Sequence, residues 1–195
     1  MASDKPRRQA DMRDYLKGAK ASNKASGKKG GGKGGKGKGK NTKQTNKITP
    51  EIADELLTKI SIHRGSITDL RVDAVVNAAN GGLWAGAGVC GAIFRAAGYS
   101  GLQRECDAIT DKFGQIPTGE SVLTKGYKLH AKYIIHSVGP TSQNNQALVS
   151  AYKTALDLCI LNDIRSIAFP CISTGIFGFS KRVAAPLVLR TIRHF

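Results

Sequence analysis

The chain has 195 residues, of which 30 are Lys or Arg and 14 are Asp or Glu, and its formal net charge at pH 7 is +16. No apolar run approaches the roughly 18 residues of a membrane-spanning helix, and the N-terminal residues lack the apolar core of a secretory signal. We therefore expect a soluble intracellular protein, nuclear or cytoplasmic, that does not bind membranes.

The positive charge is concentrated in the first 50 residues, which hold 15 Lys and Arg but only 3 Asp and Glu. The segment from Lys28 to Lys40 consists of Lys and Gly alone, so it has no apolar side chain to bury and its charges repel each other. We predict a disordered basic tail over residues 1–47. Two roles stay open for it: a solubilising linker, or an arm that directs nuclear localisation or binds nucleic acid.

A few large apolar residues interrupt this polar tail. Met12, Tyr15 and Leu16 follow Gln9 at a spacing that one helical turn would gather on one face. The pattern resembles the peptide motif that docks on the eukaryotic sliding clamp, although Leu16 stands where an aromatic residue is usual. The alternative is a transient amphipathic turn with no partner.

A helix start marks the beginning of the folded part. Thr49, Pro50 and Glu51 combine a capping hydroxyl, a first-turn proline and an acid near the positive end of the helix dipole. We predict one folded domain over residues 48–195, which is enough chain for a single core, and expect a monomer. The apolar pattern and the Gly and Pro positions predict strands at residues 59–64, 74–78, 120–124, 131–138 and 165–172, and helices at residues 88–97, 101–109, 144–161 and 181–194.

Strands that alternate with helices of about 10 or more residues indicate the α/β class, with a mainly parallel sheet covered on both faces. Two of the predicted strands end in glycine-rich turns that lead into helices. One turn covers residues 81–91, and the other covers residues 173–178. Such turns direct unpaired backbone N–H groups and the positive end of a helix dipole towards the carboxyl ends of the strands. The two turns therefore predict the two halves of one anion-binding crevice.

Six segments around these turns carry a family resemblance. They are residues 63–68, 75–80, 86–98, 117–120, 131–140 and 171–179. Together they resemble the macrodomain family, most closely its MacroD-type branch, over residues 60–195. The resemblance implies a three-layer α/β/α domain with a mixed, mainly parallel central sheet that binds ADP-ribose at the strand ends. It also implies, for many members, an enzyme that removes ADP-ribose from modified acidic side chains.

The resemblance also implies a set of binding residues, and no metal or cofactor. Two facing loops of backbone N–H groups suit a diphosphate, and glycines allow the close approach. The ADP-ribose contacts implied are Ser66, Ile67, Asn77, Asn80, Gly88, Val89, Cys90, Ser173, Thr174, Gly175, Ile176, Phe177 and Phe179. Asn80 is expected beside the ribose that is linked to the modified protein. Three roles stay open: Asn77 as a turn residue, Phe177 and Phe179 as core residues, and Trp84 as a cover or a loop anchor.

The sequence departs from the family pattern at three places. Ser66 stands where the family usually has an Asp that binds the adenine amino group. Cys90 stands where MacroD-type enzymes carry an Asp, and Phe94 stands where they carry a His. The chain also stops at Phe195, before a further strand that family members place inside the sheet, so we expect a domain that lacks this strand.

From these features we expect a protein that binds ADP-ribose or ADP-ribosylated proteins and hydrolyses mono-ADP-ribosyl esters of acidic side chains, and also O-acetyl-ADP-ribose. Asn80 and Cys90 are the candidate catalytic residues. Two alternatives stay open, because a thiol is a poor general base. The first is a non-catalytic ADP-ribose reader, and the second is a nucleic-acid-associated protein with a vestigial pocket.

The remaining reactive side chains do not form a second motif. Cys90, Cys106, Cys159 and Cys171 show no paired metal-ligand spacing, so we expect reduced thiols rather than a zinc site or a disulfide framework. Of the four histidines, His136 lies within an apolar run and is expected to be a structural residue whose hydrogen bonds are satisfied.

Overall fold

A computed structural model describes residues 58–195 of the chain. The basic tail with its Lys- and Gly-rich segment, the clamp-like peptide and the helix start at Thr49 lie outside the described residues and stay predictions. None of the described helices is both long and apolar enough to cross a membrane.

A four-stranded sheet forms the centre of the domain. Its strands are β1 (Ala74–Ala79), β2 (Ser121–Lys125), β3 (Tyr133–Val138) and β4 (Ile167–Ala168), in the spatial order β2-β3-β1-β4. β1 runs parallel to both of its neighbours, β3 and β4, whereas β2 pairs antiparallel with β3. The predicted mixed, mainly parallel sheet is confirmed.

Helices cover both faces of this sheet. They are α1 (Gly88–Ala97), α2 (Tyr99–Phe113), α3 (Asn145–Leu161) and α4 (Lys181–Arg193). The side chain of Asn77 on β1 reaches α1, which places α1 against one face. Ser137, the neighbour of His136 on β3, donates from Oγ to the Ala151 carbonyl of α3 at 2.9 Å, which places α3 against the opposite face. The predicted three-layer arrangement is confirmed.

The core lies where the helices meet the sheet. β3 is buried from Ile134 to Val138, as expected for a strand covered on both faces. On α2 the buried residues Leu102, Cys106, Ile109 and Phe113 recur every three or four positions, so that one stripe of the helix faces the sheet.

Two predicted strands require correction. Residues 59–64 form no strand, because they are exposed and pair with no strand of the described sheet. The strand predicted at residues 165–172 is reduced to Ile167–Ala168, since its ladder with β1 covers only two residue pairs and Pro170 has no N–H to donate. The second helix is longer than predicted, because Gly98 and Gly114, at φ values of 92° and 69°, place its ends at Tyr99 and Phe113.

A carboxylate links the starts of β1 and β4. Asp73 Oδ2 accepts hydrogen bonds from the backbone N–H groups of Arg165 and Ser166, at 3.1 and 3.0 Å, and from Ser166 Oγ at 2.8 Å. The hydrogen bond from the Ser166 hydroxyl is the main cause of the lowered pKa of Asp73, and the two backbone N–H groups add to it. This link fixes β4 beside β1 although 93 residues separate Asp73 from Ser166.

A buried chain of hydrogen bonds crosses three strands. Asn77 Nδ2 donates to His136 Nδ1 at 3.1 Å, so His136 carries its proton on Nε2 and donates to Thr124 Oγ1 at 2.9 Å. His136 is fully buried, and burial lowers its pKa to about 3. The expectation of a structural histidine with satisfied hydrogen bonds is confirmed.

The loop after β3 lies directly against the loop after β4. A Cβ added at Gly139 would overlap Ser173 Oγ and Ile172 Cγ2. Gly139 therefore permits a close approach that any side chain would prevent.

The neutral state of His136 makes stability depend on pH. The folded pKa lies below the unfolded value of 6.5, so only the unfolded chain gains a proton as the pH falls below 6.5. We expect the free energy of unfolding to decrease by about 2 kcal/mol between pH 6.5 and pH 5 from this group alone. Urea unfolding at both pH values should show this loss in the wild type and in the exposed control His130→Gln, and a smaller loss in His136→Gln. Equal losses in all three proteins would contradict the assignment.

Gly139→Ala should destabilise the protein by about 1–3 kcal/mol, because the added methyl group must displace Ser173 and Ile172. Gly175→Ala provides the matched control, since no atom lies within 4 Å of its added Cβ. Its expected effect is below about 0.5 kcal/mol. Urea unfolding measures both variants, and equal effects would refute the tight contact between the two loops.

Candidate functional site

The carboxyl ends of three parallel strands meet at one edge of the sheet. Because β1 lies between β3 and β4 and runs parallel to both, the loops that follow these strands emerge side by side. They are residues 80–87, residues 139–144 and residues 169–180. The structure therefore brings both glycine-rich turns to the same edge.

The first turn ends at the N-terminus of α1. Ala87 at the N-cap position forms no side-chain hydrogen bond, so no side-chain cap satisfies the first N–H groups of this helix. Gly88 has a φ of 61° and no atom within 4 Å of an added Cβ. These N–H groups, together with the positive end of the helix dipole, favour an anion beside Gly88, Val89 and Cys90.

Asn80 and Cys90 both hold the backbone of the first turn. Asn80 Nδ2 donates to the Trp84 carbonyl at 2.8 Å, and Cys90 Sγ lies 3.8 Å from the same oxygen. The N–H of Gly86 donates to Cys90 Sγ at 3.3 Å. The thiol, 5% exposed, therefore stabilises the shape of the turn.

The side chain of Asn77 separates Cys90 from the buried histidine. Asn77 Nδ2 lies 3.5 Å from Cys90 Sγ and 3.1 Å from His136 Nδ1. Because the amide occupies this histidine nitrogen, His136 does not serve as a base for the thiol. The arrangement does not support Cys90 as an activated nucleophile.

The second turn has its own internal hydrogen bonds. Phe179 N–H donates to the Ser173 carbonyl at 2.9 Å, and Gly178 N–H donates to the Gly175 carbonyl at 2.9 Å. Among residues 58–195, the N–H groups of Gly175, Ile176 and Phe177 have no acceptor. Three consecutive free donors form a second anion-binding group at the same edge.

Three buried oxygen atoms near this edge also lack a hydrogen-bond partner. Within the described part of the chain, the buried side-chain nitrogen and oxygen atoms in this state are Asn77 Oδ1, Asn80 Oδ1 and Ser173 Oγ. An unsatisfied buried polar atom costs on the order of 1–3 kcal/mol, so natural proteins tolerate few of them. Their concentration on β1 and on the turns after β1 and β4 indicates a site for a polar ligand.

Several of the other predicted residues have local roles. Phe179 is 2% exposed and packs in the core. Ser66 caps the short 3-10 helix Ile67–Asp69 by accepting from Thr68 N–H at 3.4 Å, and Ile67 packs against the core. Thr174 Oγ1 donates back to the Cys171 carbonyl within the turn.

The rim of the site carries exposed apolar groups. Ile176 is 81% exposed and Phe177 is 38% exposed. Trp84 is 56% exposed, although its carbonyl is held by two side chains and its ring lies against Gly82. Large exposed side chains on both turns are available for contact with a ligand.

Sequence reasoning missed one side chain that contacts the second turn. Gln143, in the loop after β3, donates from Nε2 to the Gly178 carbonyl and accepts from Ser180 N–H, both at 3.0 Å. It lies in a polar stretch with no periodicity or motif, so the sequence carries no signal for this contact.

The site residues described above are neutral polar or apolar groups. In residues 58–195, no three His, Cys, Asp or Glu side chains come together as a group that could hold a metal ion. The site therefore presents backbone N–H groups, amide oxygens and a hydroxyl rather than metal ligands or paired cations.

Comparison with known proteins identifies relatives of this chain. The Macro domain family model matches residues 76–188. The chain is 47% identical over 148 residues to a protein of Xenopus laevis named ADP-ribose glycohydrolase MACROD2, an alignment that covers 73% of this chain and 34% of the relative. It is 48% identical over 142 residues to Macro domain-containing protein lmo2759 of Listeria monocytogenes, covering 70% of this chain and 80% of the relative.

Solved structures agree with these matches. A Trypanosoma brucei macrodomain in complex with ADP-ribose superimposes with a TM-score of 0.68 at 41% identity, over 75% of this chain and 64% of that chain. A mutant Oceanobacillus iheyensis macrodomain with ADPR gives 0.65 at 39% identity, over 67% of this chain and 74% of that chain. The chain spans only about a third of the Xenopus relative. The family model extends over more than half of the chain, and we conclude that the chain belongs to the Macro domain family.

Proposed function

We propose that this chain binds ADP-ribose at the carboxyl edge of its sheet and hydrolyses ADP-ribosyl linkages. The observation that carries the proposal is that two sets of backbone N–H groups lie unsatisfied at this edge. One set is at the start of α1, and the other is at Gly175, Ile176 and Phe177. Relatives named ADP-ribose glycohydrolases and solved macrodomains with ADP-ribose bound support the choice of ligand.

The diphosphate is the part of ADP-ribose that these donors fit. Each of its two phosphate groups carries a negative charge and several acceptor oxygens. Backbone N–H groups from two facing turns satisfy those oxygens without a lysine or arginine. Glycine at positions 88 and 175 leaves open space in which the phosphates approach the backbone closely.

Asn80 is assigned to the ribose next to the scissile bond. Its Nδ2 already donates to the Trp84 carbonyl, whereas its Oδ1 is buried and has no partner within the described residues. Asn80 therefore offers an acceptor, and a ribose hydroxyl is a suitable donor. This contact would fix the sugar relative to the diphosphate.

The proposed reaction is hydrolysis of an ester between ADP-ribose and an Asp or Glu side chain, or of O-acetyl-ADP-ribose. In an ester at the anomeric carbon, water attacks that carbon, the bond from the carbon to the ester oxygen breaks, the acid leaves as a carboxylate, and the proton lost by the water passes to the solvent. The Cys90 thiol is engaged with the backbone of the turn. The water is therefore oriented by Asn80 and by the diphosphate of the ligand itself, and catalysis depends on positioning.

The engagement of Cys90 also favours a second candidate function, a reader that binds ADP-ribose without cleaving it. A protonated thiol is a weaker acceptor than a carboxylate and a poor base. A site with this residue would keep its backbone donors for the diphosphate and lose a group that orients water. The two functions differ in turnover, not in the ligand.

Trp84 provides a direct test of where the ligand binds, because it is the only tryptophan in the chain. Its ring is 56% exposed beside the first turn, so ADP-ribose should change its fluorescence in a saturable manner. The midpoint of this change should match the Kd from calorimetry. Calorimetric binding with unchanged fluorescence of the tryptophan would place the ligand elsewhere.

Turnover separates the hydrolase from the reader. A protein substrate ADP-ribosylated on Glu is incubated with the chain, and release of free ADP-ribose is followed. Asn80→Ala should lower kcat on the order of 100-fold, the usual cost of losing a group that acts in the transition state. Asn162→Ala is the matched control, since Asn162 Nδ2 also donates to a backbone carbonyl, that of Leu158 at 2.9 Å, at the C-terminal end of α3.

The result for the wild type decides between the two functions. Release that is lost in Asn80→Ala and kept in Asn162→Ala supports the hydrolase. Binding of ADP-ribose without release, together with release gained in Cys90→Asp, would establish the reader.

A further inference from the structure

We infer that Gln143 is a positioning residue for the diphosphate, although it lies outside both glycine-rich turns. It acts through the second turn, residues 173–178, whose shape it fixes from the neighbouring loop. The inference rests on the proposed binding of ADP-ribose at this edge. It adds a residue that neither turn motif contains.

The amide of Gln143 spans the end of the second turn. Its Nε2 donates to the Gly178 carbonyl and its Oε1 accepts from Ser180 N–H, both at 3.0 Å. One planar amide thus binds two backbone groups on either side of Phe179. Gly178 has a φ of 66°, so the backbone changes direction within the segment that the amide holds.

The same loop supports the other end of the turn. Gly139 lies against Ser173 and Ile172, where an added Cβ would overlap both. The loop after β3 therefore contacts the second turn at Ser173 and again at Gly178. The free N–H groups of Gly175, Ile176 and Phe177 lie between these two contacts.

The contacts of Gln143 set the direction of the free N–H groups in the second turn and add little to the stability of the fold. Gln143 is exposed, and its two hydrogen bonds lie at the surface, where such contacts contribute little to the free energy of unfolding. A turn that is already held in place loses less conformational entropy when the phosphates bind. Loss of the amide should therefore weaken diphosphate binding more than it destabilises the protein.

Gln143→Met tests this role, because methionine keeps the length of the side chain and removes both hydrogen bonds. Gln146→Met is the matched control, since Gln146 is exposed three residues further along and has no hydrogen bond to the described residues of the turn. Three measurements are made on each full-length protein. They are the Kd for ADP-ribose, the phosphorus and adenine-proton NMR shifts of the saturated ligand, and, without ligand, amide hydrogen exchange of Thr174, Gly178 and Phe179, whose N–H groups are hydrogen-bonded within the turn.

Gln143→Met should raise the Kd about tenfold, because ligand binding must then order a turn that Gln143 no longer holds, whereas Gln146→Met should not change it. The phosphorus shifts of the bound ligand should change while the adenine-proton shifts stay the same, and the hydrogen-bonded N–H groups of Thr174, Gly178 and Phe179 should exchange faster. The Tm of both variants should stay within about 3 °C of the wild type.

An unchanged Kd, or equal changes in the phosphorus and adenine signals, would overturn the role of Gln143. If the wild type binds no ADP-ribose, the proposed function fails, and hydrogen exchange alone then decides whether Gln143 positions the turn. Faster exchange in Gln143→Met than in Gln146→Met supports the positioning role, and equal exchange refutes it.

Discussion

The parallel pairing of β1 with both β3 and β4 is the constraint on which the site depends. It delivers three loops to one edge of the sheet, although more than 60 residues lie between the first loop and the last. Two sets of hydrogen bonds fix this pairing, one at the starts of the strands and one in the buried core. Asp73, directly before β1, binds the backbone of Arg165 and Ser166, directly before β4. The buried chain from Asn77 through His136 to Thr124 connects β1, β3 and β2. Because these contacts do not involve the turns, the fold determines the site geometry before a ligand arrives.

A site built from backbone N–H groups behaves differently from one built from lysines. Its partial charges are fixed in direction by the turns, and they neither titrate nor change rotamer. Donors held at the end of a helix and in a turn therefore keep their charge and direction as the pH changes. The unsatisfied donors of this site belong to the backbone of the two turns and not to the Lys and Arg side chains of the chain.

The apolar runs and the Gly and Pro positions of the sequence predict some helices and strands well and others poorly. α1 runs over Gly88–Ala97, as predicted, because Gly98 ends it with a φ of 92° that few other residues adopt. The apolar run of β3 likewise identifies a strand buried on both faces. Residues 59–64 have a strand-like composition, but a strand also needs a partner, and composition carries no information about partners. β4 does pair with β1, but its ladder covers only two residue pairs and Pro170 follows it without an N–H to donate.

The sequence likewise predicts some residues of the candidate site and not others. The glycine-rich turns and Asn80 are visible in the sequence because their chemistry is local. Gln143 is not, since it acts on backbone groups 35 and 37 residues away. A single polar side chain in a polar loop has no pattern that distinguishes it from its neighbours. Tertiary hydrogen bonds to the backbone are therefore the part of this site that only a structure reveals.

Cys90 supports the shape of the first turn but is a poor candidate for a catalytic base. Its sulfur accepts from Gly86 N–H, lies 3.5 Å from Asn77 Nδ2 and lies 3.8 Å from the Trp84 carbonyl, to which a thiol can donate and a carboxylate cannot. The thiol therefore preserves the shape of the turn. A carboxylate would also place a negative charge beside the diphosphate, where like charges oppose each other. Replacing it with a thiol removes that repulsion and, at the same time, a base that orients water. For the proposed reaction, the first turn supplies no carboxylate to orient water, which leaves Asn80 as the side chain proposed for that role.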